Sequence, residues 1–530
     1  MDITEDWAIW ADRPGPGPSP APAVPSPTAS PTPPTYLLSR WLFLRLVGVT
    51  YMVAFASLGA QVPGLVGEHG ILPAGAFLER AHALYGSSAY RLFPTLYWLG
   101  AGDGALRALC WTGVGLAALV VGGVAQAPLL LLLWAAYLSL SVAGQTFLWF
   151  QWDALLLETG LLAALYAPIQ LVPSRAERSP PRAVRWLLWG LLFRLMMLSG
   201  VTKLASGDPT WRRLTALDYH FWTQPLPTPV AWYAHWLPEW THQGMTLTIL
   251  VIESVVPFLI FLPARWRRAR HAACAALLVG QVGIALTGNY GFFNLLAIAL
   301  CVPLLDDAAL ARVLPLGLRD SGPEPRWHGY VLRGVAPLLA LLALGSFVGE
   351  IAGTRGGSRE AFAGPLLRVA EPFRSVNGYG LFRVMTTERP EIVIEGSRDS
   401  VHWSEYGFPW KPGDVRRRPA FVAPHMPRLD WQMWFAALDP ERAREWLGPL
   451  VRHLLLGTPS VVRLLGTNPF PDAPPRYLRL AYYRYRFTTP AERRTSGAWW
   501  AREFVAYLTP ALSLARTGRD PHQELAGTHP

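Results

Sequence analysis

Long apolar stretches alternate with polar ones along most of the chain. At least eight of them run for roughly 17 to 22 residues with little or no charge, which is the length an α-helix needs to cross a membrane. The pattern predicts membrane-spanning helices at 37–60, 105–124, 127–148, 152–172, 183–203, 244–263, 270–287, 289–305 and 330–350. Only a short turn near Asn289 separates the seventh and eighth stretches, which could alternatively form a re-entrant pair. The sequence therefore predicts an α-helical polytopic membrane protein.

The pattern changes after residue 360, where charged residues become frequent and apolar runs become too short to span a membrane. Residues 391–396 alternate with period two, and residues 477–487 alternate aromatic residues with arginine, both of which indicate β-strands. Residues 430–438 and 441–456 have helical spacing. We therefore predict a C-terminal extramembrane α+β domain over 360–510, large enough for a core of its own, followed by a flexible tail over 511–530.

The first 35 residues are polar and then rich in proline. Such a composition predicts a disordered N-terminal tail over 1–35 with polyproline-like stretches. No pattern of a cleavable signal peptide precedes the first apolar stretch, so we expect that stretch to remain as an anchor. The multi-span domain then covers residues 36–355.

Arginine is concentrated in three short loops that follow the predicted fourth, sixth and eighth spans. They contain Arg175, Arg178, Arg182 and Arg185; Arg265, Arg267, Arg268 and Arg270; and Arg312, Arg319 and Arg326. Arginine and lysine near span ends are retained on the cytoplasmic side. The pattern predicts a cytoplasmic N-terminus and places the long loops 61–104 and 204–243 outside, together with the C-terminal domain.

Composition supports the membrane class and argues against nucleic-acid binding. The chain is 51% hydrophobic and only 16% charged, whereas a soluble protein has about 25% charged residues. The net charge of +11 comes from arginine that is spread over many loops rather than gathered in one basic patch. An arginine-rich, lysine-poor chain is typical of a high-GC genome, which favours a bacterial inner membrane. Its three cysteines lie in apolar stretches, so the C-terminal domain has no disulfide.

Two groups of polar residues in or near the spans are candidate sites. Glu158 and Arg194 fall within predicted neighbouring helices, and charges inside a membrane usually have partners. We expect them to pair, although a polar cavity or relay that holds a substrate is an alternative. Lys203, Asp208 and Trp211 form a candidate outer-loop site, in which Lys203 could be a catalytic amine or could extend to the membrane interface.

The C-terminal domain offers candidate partner-binding residues but no recognisable catalytic motif. It lacks a nucleophile elbow, a zinc-binding helix motif and a phosphate-binding glycine loop, so we predict no catalytic residues, no metal and no cofactor. Tryptophan, tyrosine and arginine dominate protein-binding surfaces, although the same aromatic residues could instead form the domain's core. The candidates are Asn377, Arg383, Arg428, Asp430, Trp431, Trp434 and Tyr485.

Eight short runs spread from the first loop to the C-terminal domain give the chain a specific family resemblance. The runs are Gly64–Pro73, Phe193–Gly200, Gly207–Trp211, Leu214–Leu217, Thr223–Pro229, Asn377–Phe382, Arg389–Ser397 and Arg428–Leu438. In these runs the chain resembles the lipase maturation factor family. The resemblance implies a multi-pass protein that, in animals, sits in the endoplasmic reticulum membrane and assists the folding of secreted lipases through its C-terminal domain.

The expected function is therefore that of a membrane-anchored folding or maturation factor, with membrane lipids and a secreted client protein, a lipase by resemblance, as partners. The alternative is a membrane enzyme that acts on a lipid or quinone in a cavity near Glu158, Arg194 and Lys203. A transporter would predict inverted repeats, and the sequence contains no convincing repeat.

Overall fold

A computed structural model of the chain describes residues 34–354 and 364–514. The tails predicted over 1–35 and 511–530 therefore lie almost wholly outside the described residues. From Thr35 onward the described residues form one compact unit.

Nine helices build the first part of this unit. They are α1 (Leu37–Gly59), α2 (Asp103–Gly122), α3 (Gln126–Ala143), α4 (Gln151–Tyr166), α5 (Arg182–Ala205), α6 (Glu239–Ser254), α7 (Arg267–Thr287), α8 (Phe293–Cys301) and α9 (Arg326–Thr354). Short 3₁₀ turns extend α6 over Val256–Phe261, precede α7 over Ala264–Trp266 and extend α8 over Val302–Leu304. Each helix lies at one of the nine predicted stretches.

Over the described residues, seven of these helices are long and apolar enough to cross a membrane. They are α1, α2, α3, α5 and α9, together with α6 and α7 when the adjoining 3₁₀ turns Val256–Phe261 and Ala264–Trp266 are included. The two exceptions are α4 and α8. The sixteen residues of α4 extend about 24 Å, and the helix ends just before Pro168, a residue that cannot continue it. The chain is a multi-pass membrane protein, but helix length alone supports seven spans rather than nine.

Shorter helices occupy the two long loops and the connections between larger elements. They are Val62–Val66, Ala74–Tyr85, Ala89–Leu92, Pro209–Arg212, Ala216–Thr223, Pro229–His235, Asp307–Leu310, Gly364–Ala370, Pro459–Val462 and Pro490–Ser496. Glycines allow the membrane helices to approach closely. A Cβ at Gly113 or Gly160 would collide with Phe55 or Tyr51 of α1, and small residues are common at such contacts in membranes.

One end of the bundle brings together the start of α1 and the loops that follow α4 and α8. Arg40 forms ion pairs with Glu177 at 3.0 Å and Glu324 at 3.3 Å. Strand β1 (Ala176–Glu177) pairs in parallel with β2 (Arg319–Asp320). The backbone N–H groups of Leu37 and Leu38 donate to the Asp307 carboxylate. These contacts fix the N-terminal end of α1 beside two of the arginine-rich loops.

The C-terminal part packs a four-stranded antiparallel sheet against two helices. Its strands are β3 (Arg389–Ser397), β4 (Ser404–Glu405), β5 (Tyr477–Phe487) and β6 (Trp500–Tyr507), in the order β4-β3-β5-β6. The helices are α10 (Arg428–Leu438) and α11 (Pro440–Leu455). Strands and helices thus form at the predicted stretches of this α+β region.

A continuous apolar core joins the membrane helices to the C-terminal part. The ring of Trp152 in α4 packs edge-on against Trp431 in α10, with centroids 4.8 Å apart. Phe147 packs in the same way against Trp446 of α11 at 6.0 Å. The C-terminal region therefore shares its core with the bundle, whereas the sequence had predicted a C-terminal domain with a core of its own.

Candidate functional site

The segment that leads into the sheet enters the membrane bundle and meets the predicted charge pair. Arg194 Nη2 donates to Glu158 Oε1, and both side chains are buried. Arg194 Nη1 donates to the backbone oxygen of Asn377 at 3.0 Å. Glu158 Oε2 accepts from Asn377 N at 3.2 Å and from Tyr379 Oη at 2.7 Å. The pair therefore holds the segment 377–379 in place.

The candidate outer-loop site contacts the same segment. Lys203 donates to both carboxylate oxygens of Glu253 at 2.9 and 2.7 Å, so its charge is balanced rather than free. Asp208 Oδ2 accepts from Met385 N at 2.6 Å, and Trp211 Nε1 donates to the Phe382 oxygen at 3.2 Å. These contacts fix the next part of the segment, 382–385, against the outer loop.

Arg428, at the start of α10, forms the second buried charge contact between the C-terminal part and the membrane bundle. Its guanidinium donates to Asp153 at 2.6 and 2.8 Å and to the Phe147 oxygen at 3.0 Å. Tyr137 Oη donates to the same Asp153 carboxylate at 2.5 Å. Because Arg428 and Asp153 are both 1% exposed, this ion pair is removed from solvent.

Asp430 and Tyr485 make contacts within the C-terminal part. The Asp430 carboxylate accepts backbone hydrogen bonds from Trp410 and Lys411, both at 2.8 Å, and burial raises the pKa of Asp430 to about 6. Tyr485 Oη donates to the Gly413 oxygen at 2.8 Å. Both side chains thus stabilise the loop around residues 408–413.

The two tryptophans of α10 face the membrane part. Trp431 packs against Trp152, as described above, and Trp434 Nε1 donates to the Thr223 oxygen at 2.8 Å. Both rings are buried. They connect α10 to α4 and to the outer loop.

The interpretation of these residues as a partner-binding surface therefore needs correction. Five of the seven candidates are buried within the protein, namely Arg428, Asp430, Trp431, Trp434 and Tyr485. Asn377 and Arg383 are half-buried, and Asn377 is engaged by the charge pair. The aromatic residues form a core, the alternative that the sequence had left open, because α10 packs between the sheet and the bundle.

Two polar residues that sequence reasoning did not select also join the parts. Asn289 Oδ1 accepts from Val422 N at 2.7 Å, and its Nδ2 donates to the oxygens of Leu226 and Ala420 at 3.1 and 2.8 Å. The only signal in the sequence was the position of Asn289 at a turn between two apolar stretches. A turn residue of this kind is normally expected to face solvent.

Arg389, the second of these residues, is fully buried at the start of β3. It donates to the oxygens of Trp222 at 2.8 Å and Pro225 at 2.7 Å, and its Nε donates to Glu391 at 3.0 Å. Lys411 forms an ion pair with the other oxygen of Glu391 at 2.9 Å. Arg389 therefore fixes the proline-rich part of the outer loop to the sheet.

One group of aromatic and arginine side chains that reach solvent lies on β5 and β6, and we call this group the aromatic face. Its members are Arg479, Tyr483, Arg502, Phe504 and Tyr507. The Arg479 guanidinium lies 4.2 Å from the centroid of Tyr507, and that of Arg502 lies 4.7 Å from Tyr483. Phe504 is 46% exposed and Tyr507 is 50% exposed. The face combines exposed apolar rings with ordered cations.

The arrangement as a whole is suited to holding the C-terminal part on the membrane bundle. The buried charges described above each have a partner, and Lys203 is not available as an amine nucleophile while it pairs with Glu253. Over the described ranges, no three His, Cys, Asp or Glu side chains come close enough together to hold a metal ion.

Comparison with known proteins gives a consistent result over nearly the whole chain. Residues 38–312 match the lipase maturation factor transmembrane domain, and residues 375–510 match the lipase maturation factor C-terminal domain. Lipase maturation factor 2 of Homo sapiens is 37% identical, covering 90% of this chain and 83% of the relative. Lipase maturation factor 1 of Bos taurus is 35% identical, covering 90% of each. No solved structure matches the chain.

Proposed function

This chain belongs to the lipase maturation factor family, and we propose that it is a membrane-anchored maturation factor for secreted proteins, with lipases as its clients. Names of relatives at 33–38% identity support the maturation role. The aromatic face supports a mode of action in which the C-terminal part binds a client. The buried charges, which hold the C-terminal part on the bundle, are then structural.

We further infer that all nine helices pass from one end of the bundle to the other. Helix α4 begins near Asp153, which pairs with Arg428, and leads to β1, beside the start of α1. Helix α8 follows Asn289, which holds the segment around Val422, and leads to Asp307, also beside the start of α1. Both helices are largely buried among the others, and irregular backbone at membrane depth is tolerated where protein surrounds it.

The orientation that we propose has the N-terminus in the cytoplasm and the C-terminal part outside. Arg40 and the loops with Arg175 and Arg319 lie together at one end, and arginine near span ends is retained in the cytoplasm. The C-terminal part lies at the opposite end, with outer loops 61–104 and 204–243. A secreted client would meet the aromatic face there.

Client maturation should depend on the aromatic face. Phe504→Ser combined with Tyr507→Ser removes its two most exposed rings, and an aromatic residue that acts as a binding hot spot contributes about 2 kcal/mol or more. We expect the variant to lower the fraction of active lipase by roughly tenfold, in cells that produce a secreted lipase together with this protein. Active lipase is measured by hydrolysis and total lipase by immunoblot.

Phe421→Ser is the matched control, because Phe421 is 57% exposed and lies outside the aromatic face. It should leave the active fraction unchanged. An active fraction no higher with the wild-type protein than without it would refute the maturation role. A wild-type effect that survives the loss of Phe504 and Tyr507 would instead refute only the assignment of the client surface.

A further inference from the structure

A cleft of about 600 Å³ lies between the outer loop 204–243 and the short helix Pro490–Ser496 of the C-terminal part. This volume is within the range of about 300 to 1,000 Å³ typical of ligand sites. The buried rings of Trp232 and Trp499 form its apolar wall, with centroids 5.6 Å apart. The indole N–H of Trp232 donates to the Thr488 oxygen at 3.1 Å. The cleft is therefore built by packing of the outer loop on the C-terminal part.

Three arginine side chains meet at this apolar wall. The Arg493 guanidinium lies 3.5 Å from the centroid of the Trp499 ring and 4.6 Å from that of Trp232. Arg418 lies 5.4 Å from the same Trp499 ring, and Arg494 also lines the cleft. Because Arg418 and Arg494 are exposed and Arg493 is half-buried, a ligand in the cleft can approach all three.

The positive charge of the cleft is not balanced within the described residues, where none of the three arginines forms an ion pair. Glu492, the one acidic residue of the helix that carries two of them, pairs instead with Arg486 at 2.7 Å. Arg494 Nε donates to the backbone oxygen of Pro490 at 3.2 Å, which leaves its two Nη atoms available to a ligand. Like charges held close together repel one another. An anion in the cleft would remove this repulsion and accept the charge-assisted hydrogen bonds that arginine forms with phosphate.

Exposed aromatic residues place the cleft close to the lipid headgroups. Tyr233, Trp236 and Trp240 are 52%, 39% and 73% exposed, and they lie at the start of α6, which crosses the membrane together with its 3₁₀ extension. Tryptophan and tyrosine are enriched where a membrane meets water. The Tyr233 hydroxyl lies 3.5 Å from Arg493 Nη1. The arginines of the cleft are therefore next to the residues that mark the membrane surface.

We propose that this cleft binds the phosphate group of an anionic phospholipid, in the leaflet on the side of the C-terminal part. Arg493 and Arg494 donate to the phosphate oxygens, Arg418 adds positive potential, and the acyl chains enter the bilayer beside Trp236. Clustered arginines at a membrane surface attract anionic headgroups. A zwitterionic lipid brings its own cation to the cleft, where the arginines repel it. This inference is independent of the maturation role.

The test uses the full-length protein in phosphatidylcholine nanodiscs that contain a phosphatidylglycerol probe with a photoreactive diazirine in its headgroup. Arg493→Gln combined with Arg494→Gln removes two charges from the cleft. Arg212→Gln combined with Arg213→Gln is the matched control, because these are also adjacent arginines on the outer side, both are exposed, and neither lines the cleft. Apparent melting temperatures establish that each variant is folded.

We expect the probe to label peptides of the wild-type protein that contain Trp236 or Trp499. Labelling of these peptides should fall about tenfold or more in the variant that lacks Arg493 and Arg494, because two charges that attract the headgroup are lost. The control should be labelled like the wild type. Undiminished labelling without the two cleft arginines, or an equal loss in the control, would overturn the proposal.

Two further arms of the experiment identify the source of the phosphate group. A phosphatidylcholine probe with the diazirine at the same position should label the cleft several-fold more weakly, and equal labelling would overturn the preference for an anionic lipid. Soluble glycerol 3-phosphate or a glutamate-rich peptide, each at the concentration of the probe, should not displace phosphatidylglycerol. Displacement by either would overturn the proposal, because the ligand would then be a free phosphate compound or an acidic protein segment.

Discussion

Arg428→Met is expected to cause a large loss of stability. The change leaves the Asp153 carboxylate without its cation in a buried site, where Tyr137 supplies the one remaining side-chain hydrogen bond among the described residues. Removing one partner of a buried ion pair typically costs about 3 to 5 kcal/mol. This is a large fraction of the roughly 5 to 15 kcal/mol that holds a typical protein folded. The apparent melting temperature in detergent measures the effect.

Arg444→Met provides the matched control. Arg444 pairs with Glu441 at 2.6 Å, but the side chains are 75% and 73% exposed, and exposed pairs contribute about 0 to 1 kcal/mol. The control should melt like the wild type. Equal melting temperatures for Arg428→Met and Arg444→Met would show that Arg428 does not connect the two parts.

The second large loss of stability is expected when the buried ion pair between Glu158 and Arg194 is broken. Arg194→Leu leaves Glu158 without its counter-charge within the bundle and should again cost about 3 to 5 kcal/mol. Adding Glu158→Leu removes the stranded charge, so the double variant should be more stable than Arg194→Leu alone. Melting temperatures of the two single variants and the double variant, measured in the same detergent, test this order.

Full recovery is not expected in the double variant, because Glu158 also accepts from Asn377 N and Tyr379 Oη. Each donor left unpaired in the bundle costs about 1 to 3 kcal/mol. Adding Tyr379→Phe to the double variant should therefore raise its melting temperature. A double variant no more stable than Arg194→Leu would contradict an ion pair, and a triple variant no more stable than the double would contradict the role of Tyr379.

The sequence was sufficient for the membrane class and for the position of most elements. Spanning helices depend on runs of apolar residues, which are local, so all nine stretches correspond to helices. Helix length was harder to predict at α4 and α8. Residues 167–172 continue the apolar pattern of α4, but Pro168 ends the helix, and the apolar stretch alone does not reveal where regular hydrogen bonding stops.

Contacts between the two parts could not be predicted in the same way. The alternation of residues 477–487 correctly indicated a strand, yet it does not say how much of each face is covered. Tyr485 and Phe487 are buried, while Phe504 and Tyr507, on the same face of the sheet in the neighbouring strand, reach solvent. In the sequence, Trp431 and Trp434 are compatible with either a binding surface or a core. They are buried by contacts with residues of the membrane part that lie more than two hundred positions away in the chain.

The most direct test of the claim that the C-terminal part lies outside the membrane is to introduce one cysteine at a time and label it with a membrane-impermeant maleimide. Cys110, Cys274 and Cys301 are buried, so the native background should be low. Ser496, in the C-terminal part, and Ser174, beside β1, are both exposed. In sealed right-side-out vesicles we expect Ser496→Cys to be labelled at once and Ser174→Cys only after permeabilisation. Labelling of Ser174→Cys in sealed vesicles, with Ser496→Cys protected, would contradict the proposed orientation and the access of secreted clients to the aromatic face.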